Sequence, residues 1–484
     1  MARTPCKHTF LTRRALVSVL GASAAGILSG CAKSSSPGSG FGFIERSSPI
    51  GGSAPRAEAP AIAWSRLIVE SSSAPDGKLA EDSILGGWGA TCTGAAVESD
   101  TIYVAAASTL LAFDTRTGAE RFRIELSGEG AEDMGNACGL AVSDGICLIA
   151  LDTGWLVRCD VSGTPLVRWR MRMIDRMAFQ GQERTFSNGE NFPPEVKDTD
   201  PVPAVWSCTD LIMRDDSVCL GLTCYQLEEA SHLFCVSKAD GALRWHRLIP
   251  GYLANAGNLG YPVQLGDCYI VPDPTRDGIV VLDAGTGEER DHIETDGPLR
   301  MGFTSLRRQG CEALCTQATS GEIYLLSESG GGISVDRLAL SQAGENVIAS
   351  GARPVIAGDT LISQMPTELP SERLIADDRD ASSGAAAFID LESLSLVEAR
   401  DGRELESTPV VFGNALYYVG RSGLYRAPLD FAGAGDFTLV DQRISKMSGE
   451  WDQLLIQASG MLFAISGNTS RKRLYAIRLQ DPDA

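Results

Sequence analysis

The chain has 484 residues, 44% hydrophobic and 7% aromatic, with 42 Lys and Arg against 62 Asp and Glu for a formal charge of −20. Such a length and apolar content suffice for a large buried core. The negative field repels phosphate backbones and anionic headgroups, which argues against nucleic acid as a partner and against electrostatic membrane binding.

The first element is an export address. Arg3, Lys7, Arg13 and Arg14 form a basic head without an acid, and the mostly apolar stretch from Ala15 to Leu28 is shorter than the ~20 residues that span a bilayer. It therefore reads as the apolar core of a signal peptide over residues 1–30. Leu28-Ser29-Gly30-Cys31 closes it with two small residues that a peptidase can grip and a thiol that can carry diacylglycerol. This resembles a bacterial lipobox, and Arg13-Arg14 with Leu16 resembles a twin-arginine signal; the general secretory route and the twin-arginine route both stay open. Residues 31–59, Gly- and Ser-rich at first, read as a lipidated flexible tether. Removing the four basic residues before Cys31 leaves 38 Lys and Arg against 62 Asp and Glu, a mature charge of about −24. Two or three acyl chains hold a membrane firmly where one does not. The expected location is outside the cytoplasm, anchored to a bacterial cytoplasmic or outer membrane.

Residues 60–481 then read as one domain of repeats. The first complete repeat runs Thr101-Ile102-Tyr103-Val104-Ala105, Leu110-Leu111-Ala112-Phe113-Asp114, Thr117-Gly118 and Phe122. It is a strand, a strand ending in aspartate, a Gly turn and an outer strand opened by an aromatic. The order recurs at Asp144 to Trp169, Asp216 to Trp245 and Gly266 to Glu289, then more weakly from Gly310, Gly358, Gly413 and Ser459. Eight copies result, with seven as the alternative because the later signatures fade; most are spaced at ~40–50 residues, as propeller blades are. One four-stranded sheet cannot cover both its faces, whereas radial stacking buries each face on a neighbour. The stretch Pro60 to Glu70 precedes the first complete repeat and is expected to give the last blade its outer strand.

At these residues the chain resembles the PQQ-like β-propeller repeat proteins. Trp64, Trp169 and Trp245 match the repeat's tryptophan, Phe122 substitutes for it, and the fourth copy departs from it at Arg290 or Asp291. The resemblance implies an all-β, eight-bladed propeller of four-stranded antiparallel blades. Together with the lipobox it points to the BamB-like lipoproteins of the outer-membrane β-barrel assembly machinery, which are non-catalytic and bind protein partners through loops.

Two insertions interrupt the repeats. Residues 175–203 contain Phe179, Phe186, Phe192 and Pro193-Pro194, and residues 365–383 are rich in charge, including Asp377-Asp378-Arg379-Asp380. Long loops on a rigid scaffold carry function or are disordered, and the aromatics favour the first as a partner-binding loop.

Thirteen cysteines are present. Besides Cys6 and the anchor Cys31, an exported chain permits disulfides. Cys147 and Cys159, like Cys219 and Cys235, flank a turn symmetrically, so each pair is either a cross-strand disulfide or two small buried hydrophobes. Cys92, Cys138 and Cys208 precede the first strands of three successive repeats, where packing and a thiol metal site near the channel are the two readings.

The rival class is a quinoprotein dehydrogenase of small alcohols or sugars, built on the same repeats around a quinone. Those enzymes usually carry adjacent cysteines under the cofactor, and this chain has no Cys-Cys dipeptide. His232, His246 and His292 stand apart in sequence, which leaves little material for a histidine metal site or a triad. Gly330-Gly331-Gly332 has no following lysine to make a phosphate loop. The expectation is a monomeric, non-catalytic, lipid-anchored scaffold that binds an envelope protein or peptide, with no cofactor, no metal and no catalytic residue.

Overall fold

The computed structural model describes residues 62–478 apart from 71–93, 107, 128–136, 174–206, 224–229, 251–261, 274–276, 298, 300–302, 309–310, 319, 340–353, 366–382, 404–408, 421–422, 431–435, 445–454 and 469–470. The signal peptide, Cys31, the tether, Cys92, the aromatic insertion with Phe179, Phe186 and Phe192, and all but the ends of the second insertion lie outside the described residues.

The described residues form eight antiparallel sheets, seven of them with their strands in sequence order from the axis outward. Blades 1 to 7 occupy residues 94–125, 137–172, 207–250, 263–294, 304–339, 355–403 and 410–441. Blade 8 takes three strands from 455–478 and its outer strand, Ile62–Glu70, from the start of the domain. In blade 3 the inner strand is split into Ser207–Cys208 and Ile212–Met213, both paired with Ser217–Thr223.

Eight apolar clusters account for the ring. Each is shared by two successive blades, from Tyr103 with Ile149 between blades 1 and 2 to Trp64 with Ile102 between blades 8 and 1. The strand sequences follow from this. Second strands are covered on both faces, so Thr101–Ala106 is buried throughout and reads as an unbroken apolar run. Outer strands meet a neighbour on one face only, so Glu120–Glu125 alternates between exposed and half-buried residues, the period-two pattern of a half-covered strand. Inner and second strands join through two-residue turns such as Ser99-Asp100 and Asp144-Gly145, with φ of 55°, and of 54° and 70°. These are left-handed conformations that hairpin turns of the primed types require and that Gly, Asn and Asp accept.

The aspartate, Gly turn and tryptophan of the repeat form one lock between blades. The Asp114 carboxylate accepts hydrogen bonds from the backbone N–H and hydroxyl of Thr117 at 2.9 and 2.8 Å, and the turn ends on Gly118 at φ +64°. Trp64 of blade 8 lies on that glycine. A Cβ on Gly118 would stand 2.5 Å from the indole, and the indole N–H donates to the Thr115 carbonyl at 3.0 Å. Trp169 repeats the contact on Gly241 and the Lys238 carbonyl, and Trp245 repeats it on Gly287 and the Ala284 carbonyl. Phe122 occupies the same register and packs into the core between blades 1 and 2. It has no glycine to cover: a Cβ on Gly163, in the facing turn, would meet nothing within 4 Å.

One residue before the aromatic, the ladder carries a bulge at Arg121, Arg168 and Arg244, and Arg290 holds that place in blade 4. Asp291 therefore stands at the tryptophan register, which resolves the fourth copy. A bulge re-aims its side chain, and these guanidinium groups turn onto repeat carboxylates: Arg121 onto Asp100 and Asp114, Arg168 onto Asp160, Arg244 onto Asp216, and Arg290 onto Asp283.

Candidate functional face

Strand direction assigns every turn to one of two ends of the ring. Turns between first and second strands, and between third and outer strands, share one end, which also carries the tryptophan locks and arginine latches. Turns between second and third strands share the opposite end with the exits of the outer strands. In blade 2 the outer strand Leu166–Arg172 finishes beside the turn between second and third strands, where Met173 N–H donates to the Gly154 carbonyl at 2.9 Å. The 175–203 insertion follows from there. In blade 6 the second strand, Thr360–Met365, and the third, Ser383–Asp390, pair at Met365 with Ala385, and the second insertion joins them. Both insertions are therefore mounted on the same end.

That end also gathers buried polar groups. In blade 3 the Thr223 and Ser231 hydroxyls, both fully buried, lie 2.6 Å apart. The Gln317 side chain of blade 5 accepts from the Ser363 hydroxyl of blade 6 at 2.9 Å. In blade 4 the carboxylate of Asp273, 2% exposed, faces His292 with Nε2 3.7 Å away. Gly278 makes that approach feasible, since a Cβ there would collide with the His292 Nε2 and lie 2.5 Å from its Cε1. Asp152 and Lys472, 6% and 5% exposed, add buried charge to the same end. Buried polar groups hold a single arrangement when they are partnered, so Thr223 with Ser231 and Gln317 with Ser363 stiffen this end, whereas His292 Nε2 is buried without a hydrogen bond.

The opposite end is ionic and exposed. Its latches hold Asp100, Asp114 and Asp216 below the ordinary carboxylate range, chiefly through the hydrogen bonds from Arg121 and Arg244. Exposed pairs of this kind contribute little stability each. Near this end, a cavity of about 400 Å³ between blades 4 and 5 is lined by Gln264, Arg307 and Glu312 over an apolar floor of Leu265, Leu306 and Leu314.

The cysteines separate by register. Cys147 faces Cys159 and Cys219 faces Cys235 directly across adjacent strands, and all four are buried free thiols. Burial pushes the Cys159 thiol up to about 12. The Val161 N–H bonded to the Gly145 carbonyl makes the first a hydrogen-bonded pair, and the Lys238 N–H bonded to the Asp216 carbonyl makes the second a non-hydrogen-bonded pair. Side chains come closer in the second type. Cys138 and Cys208 pack in the cluster between blades 2 and 3 with Leu211. Among the described residues no group of three or more His, Cys, Asp or Glu is arranged to hold a metal.

Two histidines that stand 14 residues apart meet in the fold. His232 and His246, on the third and outer strands of blade 3, lie with ring nitrogens 2.9 Å apart. The diagonal spacing of neighbouring strands brings them together, since Phe234 pairs with His246. Only the strand register, which the sequence leaves implicit, would have signalled it.

No known family model matches the chain, and no curated protein matches it. Among solved structures, BamB from Moraxella catarrhalis aligns over 79% of this chain and 96% of its own, at 12% identity and a TM-score of 0.49. A quinohemoprotein alcohol dehydrogenase, ADHIIG from Pseudomonas putida HK5, aligns over 80% of this chain and 75% of its own, at 10% identity and a TM-score of 0.50. The quinohemoprotein alcohol dehydrogenase from Comamonas testosteroni gives the same two shares and TM-score at 11% identity. Identities this low carry the propeller fold and nothing finer. The chain is an all-β, eight-bladed propeller of antiparallel blades.

Proposed function

We propose that the protein is a lipid-anchored envelope propeller that binds an exported protein or peptide and performs no chemistry. The observation that carries this reading is the mounting of both insertions on one end of the ring, where binding loops on a rigid frame act together. The sequence from Arg13 to Cys31 supports export and anchoring, and the resemblance to BamB-like lipoproteins supports a role in envelope or outer-membrane protein assembly. The rival, a quinoprotein dehydrogenase, has no Cys-Cys dipeptide to offer the cofactor.

Photo-crosslinking in native envelopes tests the reading. A crosslinker at Ser320, in the blade 5 turn between second and third strands, should capture one envelope protein, and deleting residues 175–203 should abolish that adduct. A crosslinker at Gly163, on the opposite end, should capture none. Equal capture from both ends, or quinone-dependent oxidation of an alcohol or sugar by the purified protein, overturns the reading. Changing Cys31 to Ser should release the chain from membranes.

A further inference from the structure

The His232 and His246 rings are held together edge to edge on a β-sheet surface. Their planes differ by 11° and their centroids lie 5.1 Å apart, while His232 Nδ1 and His246 Nε2 approach to 2.9 Å. Face-to-face rings cannot bring ring atoms that close, so the imidazoles are coplanar neighbours joined edge to edge by one N–H···N bond. Phe234 braces them, with its ring 4.7 Å from that of His246 and 6.1 Å from that of His232, nearly parallel to both. Phe234 itself is 3% exposed and fixed in the core between blades 2 and 3. The pair is thus set on a rigid base, with His246 exposed and His232 half-buried.

The geometry points to a binding site for a divalent late transition cation of tetragonal preference, Cu²⁺ foremost, between His232 Nδ1 and His246 Nε2. Imidazole nitrogens ligate such metals at ~2.0–2.1 Å, so two of them in neighbouring corners of a square stand ~2.9 Å apart. That is the separation already present. Binding asks each lone pair to turn from the other nitrogen toward a common point, a rotation about the broad χ2 torsion of histidine. The bridging proton moves to the far nitrogen of its own ring, so both imidazoles stay neutral and no net proton is lost. Water fills the remaining corners, and the acidic surface of the chain, with its formal charge of −20, concentrates cations near the site. Cu²⁺ leads the divalent affinity order for nitrogen ligands, and acid competes because only neutral imidazole ligates.

Cu²⁺ is the probe, added to the full chain in which Cys6, Cys31, Cys92, Cys224 and the exposed Cys311 are changed to Ser, so that these thiols neither bind nor reduce it. Titration followed by electron paramagnetic resonance should show one tight equivalent coupled to two ring nitrogens, with the coupling pattern changing on ¹⁵N-histidine labelling. His246→Gln and His232→Gln should each weaken that equivalent at least tenfold and remove one nitrogen from the coupling, with circular dichroism reporting the fold. His292→Gln should change neither readout. A loss below tenfold in both variants while the fold is intact, or a tight equivalent without two histidine nitrogens, overturns the inference.

Discussion

Trp64 stands where the ring closes, and its removal gives a quantitative test of how the propeller is held shut. The side chain is 7% exposed, lies on Gly118 of blade 1, contacts Phe113 and Phe463 at centroid distances of 6.4 and 5.9 Å, and donates its indole N–H to Thr115. Truncating a buried tryptophan costs ~3–5 kcal/mol, of which the hydrogen bond accounts for ~1 kcal/mol. Trp64→Ala should therefore lower the urea midpoint strongly, and Trp64→Phe, which keeps a ring over Gly118, should recover most of the loss. Trp155, half-buried with Arg172 over its ring at 5.8 Å, is not part of a lock, and Trp155→Ala should cost less. Hydrogen exchange should locate the damage. Amides of the paired strands Ile62–Glu70 and Arg471–Arg478 should lose protection in Trp64→Ala, while those of blade 4 keep theirs. Equal urea midpoints for Trp64→Ala and the wild type, or uniform loss of protection around the ring, would refute this account of closure.

Other expectations follow from the same geometry. Because Asp100, Asp114 and Asp216 are depressed in the folded state, folding gains stability above the unfolded carboxylate value of ~3.9 and loses it as pH falls through the folded values. Arg121→Gln should accordingly shrink the drop in urea midpoint between pH 5 and pH 3; an unchanged drop would count against the latches. Gly278→Ala should cost ~1–3 kcal/mol by overpacking, and the second change His292→Ala should return part of it, because the Ile293 carbonyl, 2.9 Å from the added Cβ, still obstructs. At pH 8 a maleimide should label exposed Cys311 in the native protein and spare buried Cys315, whose thiol burial pushes up to about 12; labelling of Cys315 before unfolding would contradict the packing of blades 5 and 6. Refolding of the reduced, unfolded chain in a glutathione disulfide buffer, which reaches the thiols before they are buried, should join Cys219 to Cys235 and leave Cys147 and Cys159 reduced, since only the first is a non-hydrogen-bonded pair. Peptide mass spectrometry decides between them.

Much of the fold was legible because a propeller writes its interfaces into short-range order. An unbroken apolar run such as Thr101 to Ala106 marks a second strand covered on both sides, and Asp-x-x-Thr-Gly marks a turn whose hydrogen bonds are local to five residues. Trp64 announced closure for the same reason, standing at a repeat position ahead of the first complete repeat. The arginine latches were not read, although Arg121, Arg168, Arg244 and Arg290 each fall just before the tryptophan register. Their meaning depends on a bulge, which is a property of pairing and leaves no mark in composition. The meeting of His232 with His246 was hidden likewise, because diagonal neighbours depend on the register of the hairpin between the third and outer strands, and the bulge at Arg244 just past the Asp240-Gly241 turn shifts that register by one residue.

The two ends of the ring divide the labour in a way that bears on function. Locks and latches sit at one end and are built from repeat positions, so blades 1 to 4 reuse the same arginine place there and Trp64, Trp169 and Trp245 repeat one contact. The other end carries no such obligation, and it is there that the repeat is broken by insertions and that each polar pair differs: Thr223 with Ser231, Asp273 with His292, Gln317 with Ser363. A scaffold fixed at one end by repetition leaves the other free to vary without loss of the core. Specific recognition requires such freedom, since a partner distinguishes one propeller from another only through positions the fold does not dictate. The crosslinking contrast between Ser320 and Gly163 measures that asymmetry directly, because both positions lie on turns of the same ring and differ in the end they occupy.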